Sequence, residues 1–140
     1  MANFQEINSE NTRRPAKILV AEDNVFNQDA IGAILEMKEY RFVIAENGKK
    51  ALEVLQTEPC DLILMDLQMP EMDGIEATAR IRGMERETGA HIPIIALTGS
   101  HLPGGQDQCR TVGMDAYIAK PFDITELYQT IDQLLNAHPR

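Results

Sequence analysis

A chain of 140 residues, 44% hydrophobic and 25% charged, has the size and balance of one folded domain, neither disordered nor fibrous. Its formal net charge of −9 argues against nucleic acid as a partner, because phosphate backbones need clustered cations. No apolar run approaches the roughly 18 residues of a membrane span. The opening MANFQEINSE has no signal-peptide pattern, so a cytoplasmic protein without direct membrane contact is expected.

Residues 1–15 are polar and aperiodic and end in Arg13-Arg14-Pro15. They read as a flexible linker ahead of a single domain over 16–137. KILVA at 17–21 is an apolar run closed by acids and Asn24, as a buried strand would be. Residues 25–38 follow with Phe26, Ala30, Ala33, Ile34 and Met37 at helical spacing. RFVIA at 41–45 reads as the second strand, Asn47-Gly48 as a turn, and KKALEVLQ at 49–56 as a short helix. CDLILM at 60–65 is the third strand, and after a Pro70 to Gly74 loop IEATARIR at 75–82 is helical.

IPIIAL at 92–97 reads as strand four, 103–113 as a weak helix, and AYIA at 116–119 as strand five. Pro103, Gly104 and Gly105 predict a short or mobile start to the fourth helix, since each helical glycine costs about 1 kcal/mol. The last helix is expected from Asp123, with a capping-box-like Asp-Ile-Thr-Glu, to about Asn136. Cys60 and Cys109 lie in no CxxC pair and read as reduced, partly buried thiols. His91, His101 and His138 match no metal-ligand spacing and receive no role.

Alternating strands and helices, with strands apolar on both faces, predict an α/β fold. The expected form is a doubly wound, five-stranded parallel sheet of flavodoxin-like order 2-1-3-4-5. Ligands of such sheets bind outside the carboxyl ends of the strands, so the residues closing the strands matter most. These are Glu22-Asp23, Glu46-Asn47, Asp66, Thr98 and Lys120. In this order strands one and three are neighbours, which sets Asp23 beside Asp66. Gathered carboxylates repel, so either one keeps a proton or a cation joins them. An all-oxygen set with no Cys or His suits a hard ion such as Mg2+. A cation, a lysine and a hydroxyl around one aspartate form an electrostatic clamp for a phosphoryl group, with Asp66 as nucleophile.

Four segments, ILVAEDN (18–24), LILMDLQMPEMDG (62–74), IIALTGS (94–100) and YIAKPF (117–122), carry a resemblance to the receiver domain of two-component response regulators. The resemblance covers about residues 16–137, and AEDNVFNQ is most similar to receivers of hybrid histidine kinases. It implies that Asp66 is the phosphoacceptor and that Asp23, Asp66, Glu22 and the backbone carbonyl of Gln68 hold Mg2+. It also implies that Thr98 and Lys120 bind the phosphoryl group, that Tyr117 is a switch aromatic, and that the Lys120–Pro121 bond is cis. The implied partner is a histidine kinase or a histidine phosphotransfer protein, with phosphorelay signalling by a monomer as the function. A receiver excised from a hybrid sensor is expected; a free-standing single-domain regulator is the alternative.

Gly99 and Ser100 depart from the alanine-rich segment usual after the hydroxyl position. Gln68 and Ser100 fall where the family tunes access of the hydrolytic water. Other classes fit less well. A haloacid-dehalogenase-type phosphatase needs a second acid two residues after its nucleophile, where this chain has Gln68. A flavin carrier would meet an acidic Glu22-Asp23 loop in place of a phosphate cradle. A degenerate, binding-only receiver would have lost Asp66 or Lys120, and both are present.

Overall fold

The computed structural model describes residues 15–99 and 105–138. Residues 1–14 of the expected linker, and Pro103 and Gly104 of the expected weak helix start, lie outside the described residues. The elements follow in strict alternation: β1 (Lys17–Ala21), α1 (Val25–Met37), β2 (Arg41–Ala45), α2 (Gly48–Thr57), β3 (Leu62–Asp66), α3 (Gly74–Glu85), β4 (Ile94–Thr98), α4 (Gly105–Val112), β5 (Ala116–Ala119) and α5 (Ile124–Ala137). The strands form one sheet of order β2-β1-β3-β4-β5, every pairing parallel. This is the doubly wound fold the strand pattern predicts.

Side chains alternate across each strand, and the sheet divides its apolar residues between two layers. Leu19, Ile63, Met65, Ile94 and Ala96 pack with Ala51 of α2, Ala77 and Ile81 of α3 and Cys109 of α4. Ile18, Val20, Leu62, Leu64, Ile95 and Leu97 pack with Ile31 and Leu35 of α1 and Leu127 and Ile131 of α5. Burying each large aliphatic side chain stabilises the fold by about 1.5–3 kcal/mol. The central strands β3 and β4 are buried along their whole length. Their ends are therefore held rigidly.

Of the five apolar positions at helical spacing in α1, only Ile34 packs against the core, half-buried. Phe26, Ala30, Ala33 and Met37 point to solvent, with Phe26 84% exposed, while Ile31, Gly32 and Leu35 are buried. The helix is apolar nearly all round, so periodicity alone does not choose a face. Ile31 and Leu35, four apart, form the pair of large branched side chains that fills the layer beside Phe42. Gly32 lets Phe42 approach: a Cβ there would meet the ring at 2.9 Å.

Four helices are capped by a side-chain oxygen. Asn24, Asn47, Asp73 and Asp123 accept from backbone N–H groups of their first turns, each cap contributing about 1 kcal/mol. The Asp123 cap agrees with the sequence. Asn47-Gly48, read above as a turn, is instead the cap and first residue of α2. No helix among the described residues is long and apolar enough to cross a membrane. Cys60 and Cys109 are free, and burial pushes the Cys60 thiol up to about 11.

Candidate functional site

The carboxyl ends of the strands bring one polar cluster together. Glu22 continues the β1 ladder, its N–H donating to the Ala45 carbonyl at 3.0 Å. Asp66 closes β3 opposite Leu97, and Thr98 closes β4 one register position further on, opposite Ala119. The Thr98 carbonyl accepts from the N–H of Lys120 at 2.6 Å. Carboxylate oxygens of Glu22, Asp23 and Asp66 lie within 4.8 Å of one another. Glu22 and Asp66 are buried, whereas Asp23 faces solvent.

Lys120 bridges the two buried acids. Its Nζ donates to Glu22 Oε1 at 2.9 Å and stands 3.6 Å from Asp66 Oδ2. Glu22 is held on its other side too, where Oε2 accepts from the N–H of Asn24 at 3.1 Å and from Asn27 Nδ2 at 3.4 Å. Burial acts to raise its pKa, but the Lys120 hydrogen bond, the Asn24 N–H and the Lys120 charge outweigh it. Glu22 stays below the usual carboxylate range. Asp66 accepts one N–H, from Gln68 at 3.2 Å. Burial dominates there and, with the Glu22 charge adding to it, pushes Asp66 up to about 6. Glu22 is the better compensated acid and Asp66 the less compensated one.

Two glycines shape the wall beside Asp66. A Cβ on Gly74 would lie 2.4 Å from the Asp66 carbonyl oxygen, and one on Gly48 would lie 2.5 Å from the Met72 carbonyl oxygen. The loop after β3 folds back through hydrogen bonds from Gly74 N–H to the Leu67 carbonyl and from Gly48 N–H to the Met72 carbonyl, both 3.1 Å. Gly74 thus serves close approach as well as the turn into α3. The Lys120–Pro121 peptide is cis, as the resemblance implied.

Tyr117 stands apart from the acids. It pairs with Ala96 and so shares the sheet face of Thr98. It is half-buried and lines a cleft of about 200 Å³ with Cys109, Arg110 and Met114. A Cβ on Gly105 would lie 3.6 Å from its hydroxyl, so the ring reaches the first residue of α4. Sequence reasoning did not foresee that Lys120 takes Glu22 as its nearest partner. Nor did it foresee that the Asn24 N–H and the Asn27 side-chain amide, in the first turn of α1, hold Glu22.

The three-carboxylate cluster could hold a metal ion. Its donors are all oxygen, and its exposed member leaves a side open to water, which fits a hard divalent cation.

A family model of the response regulator receiver domain matches residues 18–132. The chain belongs to that family and is a receiver domain of two-component signalling. It is 41% identical over 123 residues to hybrid signal transduction histidine kinase I of Dictyostelium discoideum, covering 84% of this chain and 7% of that protein. It is 33% identical over 121 residues to the polar-differentiation response regulator DivK of Brucella anthropi, covering 86% of this chain and 97% of DivK. The chain therefore spans a small part of the histidine kinases it matches, and nearly the whole of a short regulator.

Among solved structures, the receiver domain of sensor histidine kinase PA1611 from Pseudomonas aeruginosa PAO1 is 38% identical with a TM-score of 0.79, over 87% of this chain and 98% of that one. That structure has a magnesium ion coordinated in its active-site cleft. The receiver domain of Saccharomyces cerevisiae Ssk1, solved with the histidine phosphotransfer protein Ypd1, is 31% identical with a TM-score of 0.80, over 86% of this chain and 88% of that one.

Proposed function

We propose that Asp66 accepts a phosphoryl group from phosphohistidine and that this event switches the domain. The observation that carries the reading is the buried, weakly compensated Asp66 carboxylate beside Glu22, Asp23 and Lys120. An Asp66 oxygen attacks phosphorus in line; the new O–P bond forms as the P–N bond breaks, leaving its electron pair on the imidazole nitrogen. Glu22, Asp23, Asp66 and the backbone carbonyl of Gln68 hold Mg2+, which neutralises phosphoryl oxygens when bound. Lys120 leaves Glu22 to pair with one phosphoryl oxygen, and the Thr98 hydroxyl donates to another. Tyr117, on the same sheet face as Thr98, turns inward as that hydroxyl moves.

The domain acts as a phosphoryl carrier with self-phosphorylating and self-dephosphorylating chemistry, not as a turnover enzyme. Its partner is a histidine kinase or a histidine phosphotransfer protein. Likeness to a hybrid kinase receiver at 41% identity and to a receiver solved with Ypd1 supports this. We read the domain as cytoplasmic and monomeric, 16–137 as its extent, and a hybrid sensor as its parent. The match to nearly all of DivK supports the free-standing alternative. Adding Mg2+ and beryllofluoride should shift NMR signals around Asp66, Thr98 and Tyr117 together. In Lys120→Ala the shifts at Thr98 and Tyr117 should vanish. Shifts that survive Asp66→Asn, or that need no Mg2+, would refute the reading.

A further inference from the structure

At the opposite edge of the sheet a second cluster forms, from three segments far apart in sequence. His91 precedes β4, Asp115 immediately precedes β5, and His138 is the C-cap of α5. Their side chains offer one ligand atom each, all within 4.8 Å of one another. The His91 Nε2 stands 2.8 Å from Asp115 Oδ1, and the rings of His91 and His138 stack with centroids 5.1 Å apart and planes 23° from parallel. Five-residue strands separate this edge from Asp66 by roughly 16 Å.

We propose that His91, Asp115 and His138 form a second metal site, suited to a borderline divalent ion such as Zn2+ and distinct from the carboxylate cluster. Two imidazoles and one carboxylate are a donor set for such ions, whereas hard Mg2+ prefers oxygen alone. The carboxylate is already oriented. Its Oδ2 accepts from Arg82 Nη2 at 2.9 Å and from the Ile94 N–H at 2.8 Å, which leaves Oδ1 directed at His91. Such outer hydrogen bonds fix metal-ligating groups elsewhere.

Charge favours a cation as well. Arg82 is paired at 2.6 Å with Glu85 Oε1, so Arg82, Glu85 and Asp115 together leave one negative charge uncompensated. His138 lies at the carbonyl end of the α5 helix, its N–H donating to the Leu134 carbonyl at 3.1 Å, where the helix dipole also attracts positive charge. A bound ion would sit between His91 Nε2 and Asp115 Oδ1, now 2.8 Å apart. It would tie the loop before β4 to the end of α5.

Isothermal titration of the intact chain with Zn2+, in excess Mg2+ to saturate the carboxylate cluster, tests this. One equivalent should bind, with the His91 and His138 imidazole NMR signals shifting together and the thermal midpoint rising. His91→Gln, at an exposed position, and His138→Gln, at a half-buried one, should each weaken binding roughly tenfold or more, and the double variant should lose the site. Undiminished binding by the folded double variant, as if His101 or the acidic cluster held the ion, would overturn the proposal. So would a shift of one imidazole without the other.

Discussion

Asp66 and Asp115 are both shielded aspartates at strand ends, yet they stand in opposite conditions. Asp115 accepts from Arg82, from the Ile94 N–H and from His91, all at 2.8–2.9 Å. Asp66 accepts one N–H at 3.2 Å and has its nearest cation at 3.6 Å, because Lys120 bonds Glu22 instead. The first is held in place by its neighbours; the second is left with bonding capacity to spare. A carboxylate that the fold does not satisfy is one that an incoming cation or phosphoryl group can satisfy.

The contrast predicts opposite consequences of removal. Asp115→Ala takes the acceptor of the Ile94 N–H and one of three acceptors of Arg82, which keeps Glu85 and the Gly113 carbonyl, and should destabilise the protein by about 2 kcal/mol in urea unfolding at pH 7. A loss under about 0.5 kcal/mol, the usual range for an unremarkable surface change, would break the comparison.

Asp66→Asn should do the reverse without Mg2+. Raised from its ordinary 3.8 to about 6, the Asp66 pKa makes folding favourable below about pH 4 and lowers stability as pH rises through 6. Above that, ionised Asp66 costs about 3 kcal/mol. The Asn variant should therefore be more stable than wild type at pH 7.5 by about that amount, and no more stable at pH 3.5. Glu22, held low, works in the opposite sense on acidification, but it is common to both chains. Equal stability of the two at pH 7.5 would show that Asp66 is satisfied after all.

Mg2+ should offset part of the same penalty. At ten times its dissociation constant it should add about 1.4 kcal/mol to wild type by mass action. Asp23→Asn should show much less of this gain, measured by thermal unfolding at matched ionic strength. An equal gain in Asp115→Ala would confirm that the two edges act independently; its loss there would couple them.

These two edges were also unequally legible in the sequence. Asp66, Thr98 and Lys120 each close an apolar strand, so topology alone brings them to one edge, and their gathering followed from strand order. His91, Asp115 and His138 sit on a loop, a strand entry and a helix cap. No periodicity relates such positions, and only the packing of α5 against the sheet brings His138 to the other two. The α1 face was misread for a related reason: Phe26, Ala30 and Met37 satisfy helical spacing as well as Ile31 and Leu35 do. The depth of the layer, which a sequence does not display, selects the branched pair. Gly74 was legible as a turn, but the 2.4 Å approach to the Asp66 carbonyl that forbids a side chain there is a tertiary fact.

The account stands on Asp66 as phosphoacceptor. Incubation with acetyl phosphate and Mg2+, followed by intact-mass analysis and peptide mapping, tests it most directly. It predicts one hydroxylamine-labile phosphoryl group per chain, located on Asp66, dependent on Mg2+ and absent from Asp66→Asn. No adduct, an adduct on another residue, or one that forms equally in Asp66→Asn would contradict it.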